Sequence, residues 1–211
     1  MGNSNETPRD EQIVKPGPYA ELPFSLPTLR SKRLCLRPVE PDDYRTLFLW
    51  HSDPRSLYLW LADRYISSLE EFVEDFRRLL RTHIQIIFII ELVEEGKGQI
   101  PVGMVYTYNT SSVDRYTYLC LYLSPEHTAK GIGPEAGYLA AEYLFTYFGF
   151  RKIYSEIFAY NHVSLRAAQK NGFREEGCLK AHRWFGDRYW DLYILSITFE
   201  DLKELTAPID D

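Results

Sequence analysis

The stretch from Leu121 to Ala136, L-Y-L-S-P-E-H-T-A-K-G-I-G-P-E-A, passes from an apolar strand pattern through a two-glycine turn into an amphipathic helix. A strand feeding a helix in this way points to an α/β architecture, with the turn facing the positive end of the helix. The first N–H groups of a helix have no backbone partner, and phosphate oxygens can satisfy them. Gly131 and Gly133 carry no Cβ, so the backbone there can take positive φ and come close to a ligand. Pro134 suits the first helical position. Two well-known nucleotide loops are excluded by spacing. Gly133 is followed by Pro134-Glu135 rather than Lys-Ser/Thr, and Ala136 stands where a dinucleotide fingerprint has its third glycine. Alone, the segment reads either as an anion-binding turn or as an ordinary strand-to-helix connection.

At 211 residues the chain is expected to form one domain with a core of its own. With 30 acidic and 24 basic side chains the net charge is -6, which argues against broad nucleic-acid binding. Cys35, Cys120 and Cys178 are odd in number and widely spaced, so neither a disulfide framework nor a zinc site is expected, and a reducing cytoplasm is the natural compartment. The five histidines lack metal spacing, and no metal is expected. The opening M-G-N-S-N-E has no apolar signal region, and the apolar stretch from Ile84 to Ile90 has only a strand's length; no membrane association is expected.

Along the chain, prolines at 8, 16, 18, 23 and 27 mark residues 1–27 as an extended arm, ahead of a folded domain over 28–205 and a tail over 206–211. Leu34 and Leu36 alternate in a first strand that Pro38 stops. Pro41-Asp42-Asp43 opens a helix through His51, and Ser67 or Ser68, with Glu70 or Glu71 three residues on, caps a second helix through Leu80. Gln85–Leu92 and Val102–Asn109 read as a hairpin, and Tyr116–Leu123 as the strand entering the glycine turn. A helix over Glu135–Phe148, a strand over Lys152–Tyr160 and a short helix over Val163–Lys170 with an Asn171-Gly172 stop follow. A Gly186-Asp187 turn then splits a strand-rich end.

This element order, with R-L-C-L-R-P at Arg33–Pro38, the glycine turn after the fourth strand, Asn161, Ser164, Lys170 and Gly172-Phe173 after the fifth, and G-D-R-Y-W-D-L-Y at Gly186–Tyr193, resembles the GNAT N-acetyltransferases, within them the RimJ/RimL-type subfamily. The resemblance implies a GNAT fold, a mixed and mostly antiparallel sheet of about seven strands flanked by four helices, whose fourth and fifth strands splay. It implies acetyl-CoA as acyl donor, with the backbone of Leu121, Tyr122 and Leu123 along the pantetheine arm. Thr128, Ala129, Lys130, Gly131, Ile132, Gly133 and Pro134 would surround the pyrophosphate, Asn161 and Ser164 would face the pantetheine or thioester, and Lys170 the nucleotide end. Thr128 and Pro134 depart from the family pattern: the first is short and uncharged, and the second has neither N–H nor hydroxyl.

Acetyl transfer to an amine needs a base, donors for the developing oxyanion and a proton for the leaving thiolate. Glu156 is the candidate base, with apolar Ile153, Ile157 and Phe158 near it in sequence expected to desolvate it and strengthen it as a base. Ser164, or alternatively Tyr122, is the candidate acid, since Ala168 stands where related enzymes place a Tyr. A backbone N–H near Tyr122 or Leu123 is the candidate oxyanion donor. Trp50, Tyr58, Trp60, Tyr106, Tyr108 and Trp184 are candidate walls of an acceptor pocket. The expected reaction is direct transfer in a ternary complex to a primary amine, with the acceptor open among a protein N-terminus, an amino sugar and a small-molecule amine such as a polyamine or an amine-bearing antibiotic. The alternative from another class is a catalytically inactive acyl-CoA-binding regulatory or interaction protein. The strand-rich C-terminal half can close its own sheet or pair with a second copy, so a homodimer stays open.

Overall fold

The computed structural model of the protein describes residues 29–55, 67–94 and 98–205. The arm expected over 1–27 and the tail over 206–211 lie outside them. Seven strands form one sheet in the order β1-β2-β3-β4-β5-β7-β6: β1 Leu34–Pro38, β2 Ile87–Glu94, β3 Gly98–Ser111, β4 Tyr116–Leu123, β5 Lys152–Phe158, β6 Arg174–Phe185 and β7 Arg188–Thr198. All neighbours are antiparallel except β4 and β5. The α-helices among the described residues are α1 Tyr44–Ser52, α2 Leu69–Thr82, α3 Ile132–Phe148, α4 His162–Lys170 and α5 Phe199–Glu204. This is the mixed, mostly antiparallel sheet of seven strands that the resemblance implies.

Local chemistry explains most element boundaries. The Ser68 side chain accepts from the Glu71 N–H while the Glu71 carboxylate accepts from the Ser68 N–H, so of the two capping boxes the sequence offers, the second starts α2. Gly172 at φ 82 ends α4 and Gly186 at φ 71 turns β6 into β7. α5 is one helix more than expected; the same reciprocal capping between Thr198 and Asp201 starts it where the strand pattern runs out. α3 begins at Ile132, three residues before the expected Glu135, so Pro134 occupies the third helical position and not the first. The ring is tolerated there because the N–H it lacks would have had no intrahelical partner.

Alternation along the strands sorts side chains to two faces. One carries Leu36, Ile90, Val105, Leu119, Ile153 and Ile197 against Ile132, Ala136, Leu139, Ala140 and Leu144 of α3. The small alanines let the helix axis come close to the sheet. The other face carries Ile87, Ile89, Met104 and Tyr122 against Leu47 of α1 and Phe72, Phe76 and Leu79 of α2. Each fully buried aliphatic side chain contributes about 1.5–3 kcal/mol, so this three-layer packing is the main stabilising term.

A buried ion cluster closes the β1–β2 end. Arg37 donates from Nη1 and Nη2 to both oxygens of Asp43 at 2.6 and 2.8 Å and from Nε to Glu91 at 2.7 Å. Asp43 and Glu91 are both buried. Burial pushes the Asp43 carboxyl up, but the Arg37 and Glu40 N–H hydrogen bonds outweigh it and hold the group below its ordinary value of 3.8. The structural consequence is a latch joining the first strand, the turn before α1 and the second strand.

Two outcomes are expected. A depressed carboxyl stabilises the fold above its unfolded pKa and loses that contribution as pH falls through its folded one. Asp43→Asn should therefore destabilise by about 3–5 kcal/mol at pH 7, and the gap to wild type should shrink below about pH 4 in urea unfolding. At Gly103 a Cβ would lie 2.2 Å from the Tyr122 carbonyl oxygen and 2.8 Å from Leu123 Cδ2, so Gly103→Ala should cost about 2 kcal/mol or more by the same measurement.

Candidate active site

β4 and β5 pair over three positions only, Tyr116–Lys152, Thr117–Ile153 and Tyr118–Tyr154. Beyond them β4 stays with β3 as far as Leu123–Gly103, and β5 stays with β7 as far as Phe158–Leu192. Each strand keeps its outer partner while the two part from one another, which opens a slot between Leu119–Leu123 and Ser155–Phe158. Strand alternation says which backbone groups face it. The Arg115 carbonyl accepts from the Arg151 N–H on the β5 side, and the Ser124 N–H donates to Val102 on the β3 side. Odd-numbered residues of β4 therefore turn their N–H and C=O toward the slot. Leu121 and Leu123 offer backbone groups there, whereas the backbone of Tyr122 belongs to the β3 pairing.

Because β4 and β5 are parallel, the glycine turn after β4 and the Asn161 cap after β5 emerge at the same end of the sheet. Ligands of such sheets lie at the C-terminal ends of parallel strands. In the turn, Pro125–His127 form a 3-10 segment, Ala129 and Gly131 are left-handed at φ 59 and 73, and α3 starts with no side-chain cap. Left-handed residues in such a turn make its backbone concave toward an anion. The uncapped donors at the helix start are Gly131, Ile132 and Gly133, with Pro134 contributing none. Thr128 donates its hydroxyl to the Pro125 carbonyl at 2.9 Å, so the side chain serves the turn. Lys130 is exposed beside it.

Asn161 caps α4: its Oδ1 accepts from the Ser164 N–H at 3.2 Å. Its amide oxygen is thus engaged in the helix start. Ser164 stands half-buried in the first turn of α4. Lys170 is exposed at the opposite end of the helix, about 13 Å along its axis.

On the α1–α2 face the slot is lined by aromatics. Tyr108 donates its O–H to Glu156 Oε2 at 3.2 Å. Tyr118 stacks on Tyr154 with centroids 5.1 Å apart, and Tyr108 lies 5.2 Å from Tyr118 and 6.1 Å from Tyr106. Tyr122 is buried against Trp50 at 5.6 Å. Burial, and then the Glu156 charge, push the Tyr108 phenol above its ordinary value, so it remains a donor throughout the working pH range. Burial also pushes the Cys120 thiol up to about 11, against a hydrogen bond with Tyr106.

Glu156 itself is exposed. Ile153 and Ile157 do not surround it as expected; period-two alternation sends them to the α3 face, and the Tyr108 hydroxyl and the Tyr118 and Tyr154 rings are its neighbours instead. Trp184 is placed differently from Trp50, Tyr106 and Tyr108. It sits on the edge strand β6, with β7 between it and β5, half-exposed and packed on Tyr189 at 5.0 Å. Tyr58 and Trp60 lie outside the described residues. Tyr118 and Tyr154 were missed in the sequence, although Y-T-Y-L-C-L-Y carries a two-residue tyrosine alternation. Among the described residues no group of three His, Cys, Asp or Glu side chains could hold a metal ion, and no helix is long and apolar enough to cross a membrane.

Comparison with known proteins gives this geometry a context. Residues 33–174 match the family model described as an acetyltransferase (GNAT) domain. The spermidine N(1)-acetyltransferase of Escherichia coli (strain K12) is 29% identical over 150 residues, 71% of this chain and 77% of that protein. An uncharacterized prophage-derived N-acetyltransferase of Bacillus subtilis (strain 168) is 22% identical over 174 residues, 82% of this chain and 93% of that one. The crystal structure of a Vibrio cholerae spermidine N-acetyltransferase with CoA and spermine superimposes with a TM-score of 0.75 at 22% identity, covering 82% of this chain and 99% of that one. A dodecameric form of the Vibrio cholerae enzyme gives 0.71, over 84% of this chain.

The two turn glycines should respond differently to the same substitution. Gly131 is left-handed and a Cβ there would lie 3.3 Å from Arg33 Nη2, so Gly131→Ala should cost about 1–2 kcal/mol. At Gly133, inside the helix, a Cβ would meet only leucine methyls at 3.6 and 3.7 Å. Gly133→Ala should leave stability unchanged or raise it by about 0.5–1 kcal/mol in thermal unfolding of the ligand-free protein.

Proposed function

We propose a function from the premise that this chain belongs to the GNAT acetyltransferase family: it moves an acetyl group from acetyl-CoA to a primary amine of a polyamine, by direct transfer in a ternary complex. The observation that carries the reading is the three-pair contact of β4 and β5, which opens a slot with Glu156 on one wall and a helix N-terminus at its end. The residues present suit an acyl-CoA. Leu121 and Leu123 offer strand-like backbone pairing to a pantetheine amide chain. Gly131, Ile132 and Gly133 offer N–H groups to the pyrophosphate, with Lys130 adding charge and Thr128 and Ala129 shaping the turn. Pro134 removes one donor, at about 1 kcal/mol or more for a charged acceptor. Lys170 is assigned to the nucleotide end.

Acetyl-CoA supplies a thioester carbonyl activated toward amines. Glu156, held by the Tyr108 hydroxyl, takes the proton from the incoming ammonium directly or through one water. The Leu121 or Leu123 N–H, turned to the slot, would donate to the thioester carbonyl oxygen as negative charge grows on it. Ser164 is assigned the proton for the departing thiolate, with Asn161 fixing the helix turn that carries it. Tyr122 is the alternative donor, restrained by its packing on Trp50.

The polyamine acceptor is supported by the spermidine-acetylating relatives and by the slot's lining. Tyr106 and Tyr108 offer cation–π faces worth about 0.5–2 kcal/mol each beside a carboxylate, whereas the Tyr118 and Tyr154 rings stack on one another and Lys152 Nζ already lies 5.5 Å from the Tyr154 centroid. Assignment to the RimJ/RimL-type subfamily, a cytoplasmic location and self-association as a homodimer or larger assembly belong to the same proposal.

The test is acetyl-CoA consumption with spermidine, spermine, putrescine, glucosamine and a short peptide N-terminus. Polyamines should exceed the others by about tenfold or more in kcat/KM. Turnover of the peptide or amino sugar with none on polyamines would overturn the acceptor. Glu156→Gln should lower kcat by roughly 10²–10⁴ at pH 7, with the deficit narrowing as pH approaches the amine's own pKa and the free base forms unaided. An unchanged kcat at both ends of that range would remove Glu156 as the base.

A further inference from the structure

The motif R-L-C-L-R-P contains two arginines, and only Arg37 is explained by the buried ion cluster. Arg33 reaches across to the glycine turn. Its Nη1 donates to the Lys130 carbonyl at 3.1 Å and its Nε to Glu135 Oε2 at 2.6 Å. The Ser31 hydroxyl donates to the other Glu135 oxygen and accepts from the Arg33 and Leu34 N–H groups at 3.3 and 3.0 Å. Both carboxylate oxygens of Glu135 are thereby engaged on the β1 side.

We infer that Arg33 is a positioning residue for the pyrophosphate turn, aiming the Gly131 N–H at the anion and holding the Glu135 carboxylate away from it. The inference rests on reading that turn as the seat of the CoA pyrophosphate. The first half follows from peptide geometry. In a trans peptide the C=O and the following N–H point in opposite directions, so an arginine on the Lys130 carbonyl turns the Gly131 N–H outward. The guanidinium lies directly under Gly131, 3.3 Å from where its Cβ would be. The second half follows from charge. Glu135 stands in the first turn of α3, where a carboxylate interacts well with the helix dipole until a phosphate arrives and the two repel. Held by Arg33 and Ser31, it leaves the helix end and Lys130 to the anion.

A surface ion pair alone contributes little, and Arg33 is partly exposed, so a stability measurement cannot decide the matter. The discriminating experiment pairs CoA with S-acetylpantetheine, which has no pyrophosphate. Arg33→Ala should raise the Kd for CoA about tenfold by calorimetry. With spermidine as acceptor, its kcat/KM for S-acetylpantetheine should stay within about twofold of wild type. Glu135→Gln alone should bind CoA within about threefold of wild type, and the Arg33→Ala/Glu135→Gln double variant should recover about threefold of the lost affinity. Arg33→Lys, which keeps the charge without the fork, should fall between wild type and Arg33→Ala and serves if the alanine variant does not fold. Wild-type CoA affinity in Arg33→Ala, or in Arg33→Lys should it be needed, overturns the inference. So does a fold-loss in kcat/KM for S-acetylpantetheine equal to the fold-loss in CoA affinity. No recovery in the double variant overturns the charge argument. If the wild-type protein itself does not bind CoA, the reading of the turn fails instead.

Discussion

β5 runs beside β4 for three residue pairs and beside β7 for seven, and the difference between those lengths is what makes a site. A sheet closed along all of β4 would bury the odd-numbered backbone groups of Leu119–Leu123 in ladder hydrogen bonds and leave nothing for a ligand to pair with. By parting after Tyr118 and Tyr154, the strands expose two edges in the interior of the sheet. An edge of this kind tends to pair with any extended chain that reaches it. The same divergence places Glu156 at the rim, since alternation puts it on the face opposite Ile153 and Ile157. The parallel orientation then sends both following helix starts, at Gly131 and Asn161, to one end. One short contact thus sets the cleft, the anion end and the carboxylate wall.

Around that opening, charge is arranged in local clusters. Arg37, half-buried, pairs with the buried Asp43 and Glu91, a setting in which removal of one partner is severe because buried charge is left uncompensated. Lys152 at the start of β5 meets Glu176 at 2.7 Å, and Ser196 donates to the same carboxylate oxygen at 2.6 Å. The Lys152 and Ser196 hydrogen bonds hold the Glu176 carboxyl below its ordinary value and connect β5, β7 and β6. These two clusters lie at the closed part of the sheet and on its flank.

Much of this was legible from residue patterns whose meaning is local. Asn171–Gly172 and Gly186–Asp187 each specify a boundary by chemistry contained within two residues, and the structure has those boundaries; Ser67–Glu70 and Ser68–Glu71 offer two starts for α2, of which the structure uses the second. Pro134 shows the limit: proline is compatible with several first-turn positions, and Ile132, buried in the core, decides that the helix starts earlier. Asn161 shows another, because an asparagine before a helix can serve as a cap or a ligand contact, and only geometry reveals that its oxygen meets the Ser164 N–H. The tyrosine row was the least legible part. Tyr118 and Tyr154 are 36 positions apart and meet only because β4 and β5 become neighbours across the α3 connection. Trp184 was drawn toward the site by its residue type, whereas the strand order puts it on the outer edge.

Seen as a mechanical object, the sheet is two plates, β1 to β4 and β5-β7-β6, joined at a seam three residues long. A seam with few hydrogen bonds is where a structure opens first, so the Lys152 and Tyr154 amides, which face β4, belong to its low-stability end even though Ile153 between them is fully buried. In the proposed binding mode, acetyl-CoA between the plates, paired to Leu121 and Leu123 on one side and anchored at the helix end, would act as a removable eighth strand. It would lengthen the seam and couple the plates, so that occupancy and rigidity rise together. The same property makes the acceptor side responsive: Tyr108 belongs to one plate and Glu156 to the other, and their hydrogen bond spans the seam. The distance between the Glu156 carboxylate and the Tyr108 hydroxyl is therefore a readout of how closed the sheet is.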